Sequence, residues 1–128
     1  MAQGIARIGK DGYRTEIEVG GHALVSDEPA RRGGKGAGPA PYELVLAGLG
    51  ACTAITLRMY ADRKQWPMES LEVGLHMLPD GDGILVERTL TVHGALDDAQ
   101  KTRLAEIAEK TPVTLTLKAG MRITTRVL

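Results

Sequence analysis

Cys52 is the one side chain in this sequence that could serve as a redox centre, and no second cysteine accompanies it. The chemistry open to it needs the thiolate; an ordinary cysteine, with a pKa of about 8.5, is mostly protonated at neutral pH. Cys52 falls in a small-residue, aliphatic run, on one line with Val45, Leu49, Ile55 and Met59 at spacings of three and four. That is the spacing of one helix face. Two readings stay open. A free cysteine on such a line behaves as a small core hydrophobe. Alternatively it is a nucleophile kept ionised by a cation from another element or another subunit, because the helix dipole fades beyond the first turn and Cys52 lies near the third.

The other polar residues offer less. His22, His76 and His93 are scattered through strand-like segments without metal-ligand spacing, so no metal site is expected and each reads as a surface or lightly buried residue. Ser26 and Ser70 lack the strand–turn–helix setting of a hydrolase nucleophile. Gly33 to Gly38, GGKGAG, resembles a phosphate-cradling loop in composition only; it lacks the strand–helix context and reads as a flexible crossover.

The elements that must position Cys52 can be read from periodicity. Ile5–Ile8, Tyr13–Val19 and His22–Val25 read as three strands, the last two joined at Gly20-Gly21, where glycine reaches the positive φ of a tight hairpin. Asp27 to Ala40, with Gly33, Gly34, Gly36 and Gly38 and prolines at 29 and 39, reads as a loop without regular structure. Pro41 opens a helix running from about Tyr42 to Lys64, stopped by Pro67. Its first four turns are apolar on nearly every face, which predicts a central helix covered on all sides. Ser70–Leu78 and Ile84–His93 predict a second hairpin across a turn-rich Pro79–Gly83 linker. Asp97 and Gln100 form a capping-box pattern opening a helix to about Lys110, with Leu104, Ile107 and Ala108 inward; Val113–Leu117 either extends it or turns, and Met121–Val127 reads as a last strand. The order is βββ-α-ββ-α-β, an α+β fold, and residues 1–128 read as a single domain.

Composition bounds the function. Apolar residues make up 43% and charged residues 25% of the 128, and sixteen basic side chains balance sixteen acidic ones. A neutral chain is not built to neutralise phosphates or to sit on an acidic membrane, so neither nucleic acid nor membrane is an expected partner. The N-terminal residues show no signal-peptide core. The uncharged run Leu44–Leu57, about 14 residues, is shorter than the roughly 20 that span a bilayer. A lone cysteine fits a reducing compartment, so the cytoplasm is the expected location.

The stretch DEPARRGGKGAGPAPYELVLAGLGACTAITLRMYADRKQWP, residues 27 to 67, resembles the OsmC/Ohr family, especially its short OsmC-like branch. The similarity lies in the DEP and double-glycine approach, GPAPYEL, the small-residue run into ACTA, and LRMYADRK before Trp-Pro. LDDAQKTRLAEIAEKTPVTLTL, followed by a strand, resembles the family's second segment, so the likeness covers most of the chain. The resemblance implies an intertwined homodimer, with two long helices packed centrally and sheets from both chains wrapped around them. It also implies a helix cysteine that attacks an organic hydroperoxide and becomes a sulfenic acid, a second cysteine that closes a disulfide, and a dithiol reductant that reopens it. No cofactor is implied. Cys52 matches the attacking position.

The chain departs from this pattern in three places. The segment expected to read KCPV is Lys110-Thr111-Pro112-Val113, and the Thr111 hydroxyl cannot form a disulfide. The position ten residues before Cys52, where a supporting glutamate is expected, is Tyr42, while Glu43 lies one residue on, about 100° around the helix. No segment matches the activating arginine, for which Arg7, Arg14, Arg31 and Arg32 are the candidates. Two functions follow. One is reduction of organic hydroperoxides through Cys52 with an external thiol as resolver. The other is a scaffold without turnover that binds a small hydrophobic ligand near Cys52. A thioesterase built around a similar long helix would need a mid-helix carboxylate, and positions 44 to 57 have none.

Overall fold

A computed structural model describes all 128 residues and divides them into two compact units, Met1–Val45 and Leu46–Leu128. In the first, β1 (Gly4–Arg7), β2 (Thr15–Val19) and β3 (His22–Ser26) form an antiparallel meander in sequence order. Val19 pairs with His22 across Gly20 and Gly21, both at positive φ, which is the expected tight turn. β1 is shifted by one residue from its expected Ile5–Ile8 and β2 is two residues shorter than expected, because Ile8 and Tyr13 have no cross-strand partner.

The glycine-rich segment that follows is more ordered than its composition suggests. Ala30–Arg32 forms a single 3-10 turn ended by Gly33 in the left-handed region, a short regular element where none was expected. Asp27 is buried, and its carboxylate accepts from the backbone N–H groups of Glu28 (2.8 Å), Lys35 (3.2 Å) and Ala37 (3.1 Å). The Ser26 hydroxyl donates to the Pro39 carbonyl at 2.8 Å. Two glycines are required by close approach: a Cβ at Gly34 would collide with the Glu28 carbonyl, and one at Gly38 with that of Val25.

The long helix α1 (Pro41–Lys64) begins in the first unit and continues into the second. Leu49, Thr53, Leu57 and Ala61, four apart, are its buried stripe. By length and composition α1 could cross a membrane, contrary to the estimate from its uncharged run, yet this stripe is buried in protein. It ends where Gln65 takes a positive φ ahead of Pro67. β4 (Met68–Asp80) and β5 (Gly83–Gly94) form an antiparallel hairpin longer than expected, with Pro79 opposite Ile84 and only Gly81 and Asp82 in the turn. α2 (Asp98–Ala108) opens on the expected capping box between Asp97 and Gln100. Pro112 then starts a separate helix, α3 (Pro112–Ala119), N-capped by Thr111.

The core of this unit joins Leu57 and Ala61 of α1 to Met68, Leu96, Leu104 and Ala108, flanked by Tyr60, Trp66, Leu71, Leu90 and Val92. Each large aliphatic side chain so buried contributes roughly 1.5–3 kcal/mol. Two expectations are corrected within the single chain. Val45, Ile55 and Met59 of α1 are exposed, so the helix is covered on one face rather than all round. Residues 121–128 form no strand: the alternating segment meets no sheet edge, and Met121, Ile123 and Val127 stand in solvent.

Candidate functional site

Cys52 is a free, half-buried thiol on α1, at the border of its covered and open faces. Ile55 and Met59, one and two turns further along the same line, are exposed, so the thiol adjoins an open aliphatic stripe. The next residue, Thr53, is fully buried. Its hydroxyl donates to the Leu49 carbonyl at 2.7 Å and accepts from the Arg88 guanidinium at 3.0 Å. The core side of the helix turn that carries the thiol thus holds a buried polar contact beside Leu49.

Arg88, on β5, is the hub of that polar group. Its side chain is 10% exposed. Nη1 donates to the hydroxyls of Thr53 and Thr114 (2.8 Å to the latter), and Nη2 to the Ala108 carbonyl and the Glu109 carboxylate, each at 2.8 Å. Thr114 donates to the Ala108 carbonyl at 3.2 Å, so the 2.6 Å contact with Thr111 has Thr111 as donor. The other Glu109 oxygen accepts from Lys118 at 2.9 Å. The hydrogen bonds from Lys118 and then Arg88 hold the Glu109 carboxyl below its ordinary range. No buried polar side-chain atom is left without a partner.

Thr111, at the position where the sequence resemblance leads one to expect a second cysteine, is completely buried. Its hydroxyl also accepts from the Thr114 N–H at 3.3 Å, capping α3. That position therefore has a structural occupant. Glu43 accepts from the Ala40 N–H at 2.8 Å, where its carboxylate favours the start of α1, and Tyr42 is exposed beside it. Arg32 closes the 3-10 turn with its side chain in solvent. Glu43, Tyr42 and Arg32 belong to the first unit, whereas Cys52 and Thr111 belong to the second. Arg7 pairs with Glu18 and Arg14 with Glu16 on the exposed strand surface.

The sequence reading missed Arg88, although a signal was present. Along β5 the inward phase is Val86, Arg88, Leu90 and Val92, so a cation occupies a position patterned for an apolar residue. A cavity of about 1020 Å³ in this unit is lined by Leu49, Arg88, Leu90, Val92, Thr114 and Leu117, among others. No group of three or more His, Cys, Asp or Glu side chains is placed to hold a metal ion.

A meander, a long helix bearing one cysteine, a hairpin and two short helices define an α+β fold of the OsmC kind. A family model described as OsmC-like protein matches residues 33–126. The chain belongs to the OsmC/Ohr family. Among solved structures it is similar to an OsmC-like protein from Mycoplasma pneumoniae, at 16% identity and TM-score 0.78, covering 92% of this chain and 87% of that one. It is also similar to an organic hydroperoxide resistance protein from Legionella pneumophila, at 23% identity and TM-score 0.63, covering 92% and 89%. The organic hydroperoxide resistance protein OhrB of Bacillus subtilis matches at 25% identity and TM-score 0.60, covering 91% and 90%. Comparison with curated protein sequences gives no match.

Proposed function

We propose that this protein is a one-cysteine thiol peroxidase that reduces organic hydroperoxides through Cys52. The observation that carries the reading is a free, half-buried thiol on the long helix of a chain whose structural neighbours include organic hydroperoxide resistance proteins. The Cys52 thiolate attacks the outer peroxide oxygen, the O–O bond breaks, and the alkoxide leaves and takes a proton to become an alcohol. Sulfur is oxidised by two electrons to sulfenic acid and the peroxide is reduced by two. One external thiol then displaces water to give a mixed disulfide, and a second attacks that disulfide, releasing the thiol of Cys52 and an external disulfide. Two external thiols are needed because Thr111 supplies no sulfur.

We place the working form as a homodimer in a reducing cytoplasm. Treatment with cumene hydroperoxide and dimedone should give one adduct, at Cys52, and Cys52→Ser should abolish peroxide consumption. An unmodified thiol after excess hydroperoxide would end this reading. The second reading, a scaffold that binds a small hydrophobic ligand without turnover, is favoured by the cavity of about 1020 Å³ and by Thr111. It predicts that an apolar fluorescent probe binds while Cys52 remains unoxidised.

A further inference from the structure

We infer that Arg88 is a positioning residue for Cys52, acting through the hydroxyl of Thr53; this rests on the peroxidase reading. Around the thiol α1 presents mostly small side chains. Ala47, Gly48 and Ala51 are exposed, Leu49 and Thr53 are buried, and a Cβ at Gly50 would come within 2.8 Å of the Leu75 side chain. Leu49 and the close approach of Leu75 hold the helix by apolar contact, and Thr53 is the buried polar side chain of these turns. Arg88 adds a directional anchor at Thr53. It ties Thr53 to the Ala108 carbonyl at the end of α2, to Thr114 in α3 and to Glu109 between them.

Two features make this tie directional. A guanidinium is a rigid planar fork, so four hydrogen bonds from its two terminal nitrogens fix both its place and its tilt. The Thr53 oxygen has no slack either, since its proton is committed to the Leu49 carbonyl one turn back. Fixing Thr53 fixes the rotation and axial position of α1 at the residue next to the nucleophile. Displacement of a reacting group by about 1 Å can cost on the order of 100-fold in rate. Arg88 need not touch the peroxide.

The test uses Arg88→Met, Arg88→Lys and Thr53→Val in the full chain, with folding verified by circular dichroism. Each variant is assayed for the second-order rate of Cys52 oxidation by cumene hydroperoxide and for alkylation by iodoacetamide, which makes weaker demands on orientation. Arg88→Met should lower the ratio of the two rates about tenfold or more. Thr53→Val should reproduce most of that loss, and Arg88→Lys should recover part of it. A merely structural arginine would lower the melting temperature and leave the ratio of the folded protein unchanged. A ratio within twofold of wild type in folded Arg88→Met overturns the inference and leaves the peroxidase reading intact. Should Arg88→Met not fold, the same ratio in the nearly isosteric Thr53→Val decides it. A wild-type protein inert to cumene hydroperoxide yet readily alkylated overturns the peroxidase reading and this inference with it.

Discussion

Thr111 and Arg88 show how buried polar side chains are held by mutual hydrogen bonds. The Thr111 hydroxyl has a donor and an acceptor partner, and Arg88 supplies the charge that Thr114 and Glu109 receive. Replacing Thr111 by valine keeps the shape but removes both bonds and the cap of α3. The expected loss is about 1–2 kcal/mol, read from denaturant unfolding. Cys52 oxidation should be unchanged, because the Arg88–Thr53 link survives; a stability equal to wild type would show that Thr111 caps nothing in solution. At this scale the sequence was only partly legible. Cys52 could be found from its type and its helix line. Arg88 stands in the inward phase of an alternating strand, but its partners come from positions 53, 108, 109 and 114 and only the fold brings them together.

Element by element, local signals were read well and closing contacts were not. The Asp97–Gln100 capping box and the Gly20-Gly21 turn were legible because the interactions lie within four residues of chain. The organisation of the segment after β3 was not, because Asp27 reaches eight and ten residues ahead to the N–H groups of Lys35 and Ala37. The hydrogen bond from Ala37, followed by those from Glu28 and Lys35, outweighs the burial of the carboxyl and lowers its pKa, with Arg14 adding a small attraction. The sign follows from linkage. A carboxyl that is more acidic folded than unfolded stabilises fully above its unfolded value of about 3.9 and loses that contribution as pH falls through the folded value. Amide exchange at Lys35 and Ala37 should therefore be protected at neutral pH and lose protection below about pH 4 once corrected for intrinsic rates. Asp27→Asn should already be less protected at pH 7. Protection that is flat from pH 7 to pH 3 would contradict the role given to Asp27.

For the whole molecule, what one chain leaves uncovered is the informative quantity. Val45, Ile55 and Met59 line the open side of α1, and Met121, Ile123, Val127 and Leu128 project from a tail without regular structure. The tail alternates as a strand does, and β5 has no neighbour on its outer edge. Exposed aliphatic faces and an unpaired edge of twelve residues are configurations that proteins ordinarily cover. A second copy of the chain would bury the α1 face and offer the tail a partner, consistent with the proposed homodimer. Light scattering on the full chain should then give about twice the 13.7 kDa of one chain. Removing residues 121–128 should weaken the dimer or shift it toward monomer at micromolar concentration, because the tail's apolar side chains would no longer be buried. Met59→Glu, which places a charge on the open face of α1, should do the same while leaving the Leu57–Leu104 core of each chain intact. If the full chain runs as a 13.7 kDa monomer and the Met59→Glu form behaves identically, the open face of α1 is not a subunit contact, and Cys52 works or binds at the surface of a single chain.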